Sequence, residues 1–124
     1  MAEVPAEIIT QLKEKYPDRS LHQVEKFDPG DAAVIYTFVM TGPTRDELDK
    51  LDQEMLSTDK VTDKLDKKNA IRSVSEKAAI AMIRWPERDE VKRIFGLHPE
   101  MVYSFVHDIR KFAGDSFETR TKKL

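Results

Sequence analysis

Apolar residues recur along the chain with two different rhythms, and the change from one to the other divides it. Near the start, Ile8, Ile9 and Leu12 fall on one face of a helix that runs to about Lys15, with Pro5 placed where a first helical residue needs no N–H. Pro17 ends it, because the residue before a proline is pushed out of the helical region. From Ser20 to Phe27 the alternation is only partial. From Ala32 to Met40 it is clear, with Val34, Tyr36, Phe38 and Met40 on one side and Ala33, Ile35, Thr37 and Val39 on the other, as a strand requires. Both sides of this strand are largely apolar, so either each is covered or one is open to a partner. Phe27-Asp28-Pro29-Gly30-Asp31 supplies the tight connection of an antiparallel hairpin. Two strands alone are marginal in water, so helices must cover them or another chain must extend them.

Beyond Gly42-Pro43 the rhythm is helical. Thr44-Arg45-Asp46-Glu47 reads as a capping box, and Leu48, Leu51, Met55 and Leu56 supply the buried stripe of the helix it opens. Ser57 to Lys68 carries Val61 and Leu65 amid charges of both signs, a pattern that suits an exposed helix or a connection. From Asn69 the apolar positions Ala70, Ile71, Val74, Ala78, Ala81 and Met82 fit a helix, which Trp85-Pro86 breaks or kinks. Pro86 to Glu90 opens another, with Val91, Ile94 and Phe95 as its apolar side and Gly96 as its end. Pro99 leads into the clearest helical signal, carried by Met101, Val102, Phe105, Val106, Ile109 and Phe112, with Gly114 as its stop. The fold expected is α+β: a short N-terminal helix and β-hairpin followed by a predominantly helical C-terminal half. It forms one small domain over 1–114, and 115–124 is expected to be a flexible, basic-tipped tail that Phe117 can pin in part.

Composition narrows the function. A chain of 124 residues, 40% of them hydrophobic, fits one domain whose core is thin, and 35% charged residues demand a large wet surface. Lys and Arg number 21 against 23 Asp and Glu, a net charge of -2, so no global field draws a polyanion. Cysteine is absent, which removes thiol catalysis, disulfides and Cys-based zinc sites. Met1-Ala2-Glu3-Val4-Pro5 has neither the basic nor the apolar run of a signal peptide, and no stretch approaches the apolar length of a membrane span. A cytoplasmic location is therefore expected.

No constellation of catalytic groups stands out. His22, His98 and His107 form no metal-binding motif, and the acids Asp46, Asp49, Asp52 and Glu54, with Asp63 and Asp66, read as solvated helix faces. The serines lack a nucleophile elbow, and Gly30, Gly42, Gly96 and Gly114 are too isolated to cradle a phosphate. Neither cofactor nor metal is expected. Lys67, Lys68, Arg72, Arg110, Lys111, Arg120, Lys122 and Lys123 are the basic groups open to nucleic acid, but acids are interspersed among them. What remains is adhesion. Trp85 either anchors the third helix in the core or serves as a binding hot spot, and Tyr36 and Phe38 lie on a strand that is either internal or free to pair with another chain. With Met40, Phe95, Phe105 and Phe112 they make the expected partner-binding set.

The succession of a short helix, a hairpin, Pro43-Thr44-Arg45-Asp46-Glu47, then Trp85-Pro86-Glu87-Arg88-Asp89-Glu90 and the helix after Leu97-His98-Pro99-Glu100 resembles the small tail assembly chaperones of long-tailed bacteriophages. The resemblance covers the chain from about Ile8 to Gly114 and rests on the Pro-Thr-Arg-x-Glu and Trp-Pro-x-x-x-Glu helix starts. The middle segment from Ser57 to Lys68 fits that pattern least well. The resemblance implies a non-enzymatic protein of the host cytoplasm that engages the tape measure protein, or tail tube subunits, during tail assembly without entering the virion. Self-association is open. The rival expectations are a virion structural protein of tail completion or baseplate, and a small phage regulator that binds a host protein.

Overall fold

The computed structural model describes residues 3–28, 30–115 and 121–123. Helix α1 (Ala6–Lys15) precedes strands β1 (Leu21–Asp28) and β2 (Asp31–Thr41). Helices α2 (Arg45–Thr58) and α3 (Lys64–Met82), strand β3 (Ile83–Trp85), and helices α4 (Arg88–Leu97) and α5 (Met101–Asp115) complete it. The class is α+β, as the sequence pattern predicts. The expected tail 115–124 lies outside the described residues except for Asp115, which ends α5, and 121–123; Phe117 and the turn residue Pro29 lie outside them too.

Strand order is β1-β2-β3, antiparallel throughout, so β2 is the central strand. It has a strand on both sides at Val39 and Met40, where β3 pairs with it, while its earlier residues pair with β1 alone. Phe38 and Met40 are wholly buried on the face that meets the helices, and Val39, pointing the other way, is buried as well. Both faces are therefore covered at this level. The third strand is a correction to the helical reading of the region around Trp85: the backbone turns from α3 into three extended residues that pair Ile83 with Met40 and Trp85 with Val39, and a cis peptide then joins Trp85 to Pro86.

One core joins the hairpin to the helices. Phe105 of α5 meets Phe38 edge-on with ring centroids 4.9 Å apart, and Phe95 of α4 tilts against the same ring at 5.6 Å. Aromatic pairs in these geometries add to the gain from burial, because ring edges carry positive and ring faces negative partial charge. Leu51, Ala79, Met82, Val91, Ile94, Val102 and Ile109 fill in around them.

Local sequence explains most boundaries. Thr44 and Glu47 form the expected capping box at the start of α2: the Glu47 N–H donates to Thr44 Oγ1, and the Thr44 N–H to Glu47 Oε1 at 2.9 Å. The ambiguous stretch after Ser57 resolves into a turn and the first turn of α3, which begins at Lys64 because the Asp63 side chain accepts from the Asp66 N–H at 2.9 Å. On α2, Leu56 points outward, contrary to the expected stripe. On α3, Ser75 and Ala79 take the buried positions while Ala81 faces outward; Ser75 is tolerated there because its hydroxyl donates to the Ile71 carbonyl at 2.7 Å. Gly96 and Gly114 lie inside the last turns of α4 and α5, one residue short of the ends. Helix α1 buries none of its residues fully, and Tyr16, which caps its C-terminus, lies beside Arg84 of β3. The Arg84 guanidinium lies 4.3 Å from the Tyr16 ring centroid and donates to Thr41 Oγ1. Burial pulls the Arg84 pKa below its ordinary value.

Candidate partner-binding cleft

The residues expected to bind a partner divide sharply by accessibility. Phe38, Met40, Phe95, Phe105 and Phe112 all lie in the core, and this is a correction to their expected role: the largest apolar side chains of so small a chain are consumed in making its interior. Tyr36 and Trp85 are half-buried, Trp85 at the short edge of the sheet and Tyr36 in the wall of a cleft. Tyr36 alone of the set lines that site.

The cleft, of about 620 Å³, opens between the distal half of the hairpin and the junction of α4 with α5. A volume of this size falls in the range that accepts a small ligand or a few side chains of a partner. Tyr36 reaches it because Phe38 and Met40, two and four residues on, fix the inward face of β2. Its hydroxyl is 2.9 Å from His98 Nε2, and the two rings are tilted with centroids 5.1 Å apart. His98 itself ends α4 and is held by its own N–H, which donates to the Ile94 carbonyl. Together they tie the hairpin to the α4–α5 turn.

Two apolar side chains stand open at this site. Phe27 is 57% exposed and Leu97 is 60% exposed. Burying each fully is worth about 1.5–3 kcal/mol, so their exposure is a cost that a partner would relieve. The charge around them is one-sided. Glu25, Asp28 and Glu100 line the cleft, while the one lysine there, Lys26, is already bonded to Asp108 of α5. Glu100 has only a long contact of 3.9 Å to Lys68. The combination offers apolar contact inside an acidic rim, which suits an apolar segment flanked by cations.

Phe27 and Leu97 were missed as site residues because each sits at the end of an element, beside turn-forming neighbours. Phe27 shares its sequence parity with Leu21, so alternation along β1 places its side chain on the sheet face opposite Lys26 and Tyr36, and it borders the cleft at its margin. Leu97 follows Gly96 and completes no periodic stripe.

Other chemistry is thinly represented. Among the described residues no group of three or more His, Asp or Glu is placed to hold a metal ion, and no helix is long and apolar enough to cross a membrane. Three of the basic residues considered for nucleic acid are paired with acids: Lys67 with Asp59, Lys68 with Glu100, and Arg110 with Asp52. Arg120 lies outside the described residues. Comparison with family models, with curated proteins and with solved structures finds no match to this chain.

Proposed function

We propose that the protein is a non-enzymatic binding factor whose cleft takes an apolar, basic-flanked helical segment of another protein, and that it acts as a tail assembly chaperone engaging the tape measure protein. The observation that carries the reading is exposed Leu97 beside a cleft with Phe27 at its margin and Glu25, Asp28 and Glu100 around it. A helix laid in such a cleft anchors through apolar side chains spaced three or four residues apart, and its flanking cations meet the rim. The phage assignment draws on the resemblance carried by Pro43 to Glu47 and Trp85 to Glu90.

The test is coexpression with adjacent phage tail proteins under conditions that keep every component soluble, followed by copurification. The tape measure protein is expected to copurify with the wild type and to be lost with Leu97→Asp, a change at an exposed position that leaves the core untouched. Failure of every tail protein to copurify sinks the proposal. Recovery of the chain in purified mature particles assigns it instead to virion structure, and recovery of a host protein in its place assigns it to regulation of the host.

A further inference from the structure

We propose that the open edge of β1 pairs antiparallel with β1 of a second copy, about a two-fold axis at Val24, to give a six-stranded sheet across a homodimer. This edge is distinct from the cleft in its backbone groups, although Phe27 and Glu25 border both. The phase of the hydrogen-bond ladder sets which groups the edge presents. The Gly42 N–H donates to the Ser20 carbonyl at 3.0 Å, in line with the β1–β2 register that places Leu21 opposite Thr41. Hydrogen-bonded pairs alternate along an antiparallel ladder, so His22, Val24 and Lys26 turn their backbone groups toward β2. Leu21, Gln23, Glu25 and Phe27 turn theirs to the edge. No other described segment hydrogen-bonds to that edge, and the side chains of Gln23, Glu25 and Phe27 are exposed.

An exposed edge of eight residues is a template for pairing, and its own sequence selects the register. Extending the sheet with the same face up requires residues of equal parity to oppose one another. Two registers then give the fullest overlap. Centring on Glu25 sets Glu25 against itself and Phe27 against Gln23. Centring on Val24 opposes Phe27 to Leu21 and Gln23 to Glu25, with Val24 facing its own copy. The second brings two apolar side chains together and opposes no acid to an acid, so it is the favoured one. The open backbone groups of the edge residues also fall in hydrogen-bonded pairs there. The two-fold pairing uses up both β1 edges; the outer edges that remain are β3, three residues long, and the part of β2 before Val39.

The absence of native cysteine makes the register directly testable. Opposed Cα atoms about 5.5 Å apart lie within disulfide reach. The double variant Gln23→Cys/Glu25→Cys is therefore expected to form a disulfide-linked dimer under mild oxidation, while neither single variant does. Cross-linking by Glu25→Cys alone or by Gln23→Cys alone overturns the register. In sedimentation velocity the wild type is expected as a dimer of the 14.3 kDa chain. Gln23→Glu is expected to weaken it several-fold and Gln23→Lys to tighten it, with unchanged far-UV circular dichroism in both. A wild type that stays monomeric at its highest soluble concentration, or two charge variants that shift the equilibrium alike, overturns the dimer. Leu97→Asp, at a cleft residue outside β1, is expected to leave the dimer intact, so loss of the tape measure protein with this variant is read independently of dimer formation.

Discussion

Lys26 on β1 forms an ion pair with Asp108 on α5, and the same ammonium lies 4.6 Å from the centroid of the Phe105 ring. Both side chains are mostly buried, at 15% and 16% exposure. The pair fastens the outer strand of the hairpin to the last helix, across some eighty residues of sequence. Removing one member leaves the other charge desolvated without a partner, a change that costs about 3–5 kcal/mol for a fully buried pair and less here. Asp108→Asn and Lys26→Met are each expected to lower the unfolding free energy by about 1–3 kcal/mol. The double variant Lys26→Met/Asp108→Leu should recover most of that loss in a urea titration. Strictly additive losses would show that the pair is not coupled.

The aromatic residues of the core give the clearest separation between a structural and a binding role. Phe105→Ala removes a fully buried ring that touches Phe38 and Phe95, and it is expected to cost about 3–5 kcal/mol. Small domains have about 5–15 kcal/mol in total. Thermal unfolding of the purified chain should therefore shift strongly downward. A variant with wild-type stability that has lost only its partner would restore Phe105 to the binding set.

Gly42, at the exit of β2, is constrained by a close approach. A Cβ built there clashes with Ser20 Oγ and lies 3.4 Å from the Phe112 carbonyl oxygen. Gly42→Ala is expected to destabilise by about 1–2 kcal/mol, as overpacked sites do. Ser20→Ala in the same chain should relieve part of it, since the tightest contact is with the serine oxygen. Equal unfolding midpoints for the single and double variants would locate the strain elsewhere.

The two helix caps make a matched pair of predictions. Thr44→Ala and Asp63→Ala each remove a side-chain acceptor from an exposed helix start and are expected to cost about 1 kcal/mol. Asp63→Asn, which keeps an acceptor oxygen, should cost less than Asp63→Ala. Chemical denaturation distinguishes them, and a larger loss in the asparagine variant would contradict the assigned start of α3.

How legible the fold was depended on the length over which a rhythm could be read. Helix α5 was clear because Val102, Phe105, Ile109 and Phe112 repeat through several turns, and α2 because its capping chemistry is local. The start of α3 was hidden by charges that suit either a loop or an exposed helix; the Asp63 cap settles it through one hydrogen bond. Strand β3 had no such signal. Three residues are too few to show alternation, and Ile83 to Trp85 become extended because β2 offers them an unpaired edge, a relationship that spans more than forty residues of sequence.

The site was less legible than the fold for a related reason. Apolar side chains announce burial, and Phe38, Met40, Phe95, Phe105 and Phe112 are claimed by the interior before any is left for a partner. Tyr36 stood out because its strand position is plain, whatever it binds; its bond to His98 joins residues sixty-two apart and follows from no local pattern. Leu97 acquires meaning from the cleft, and Phe27 from the cleft margin and the open edge of β1.

The central place of β2 also bears on how the chain is made. The hairpin is synthesised before its partners: Phe38 packs against Phe105 of α5, and Met40 pairs with Ile83 of β3, both much later in the chain. A growing polypeptide thus exposes an unfinished sheet until α5 has left the ribosome, and contacts so distant in sequence form slowly. A truncated product ending before α5 would carry that bare surface permanently and would aggregate.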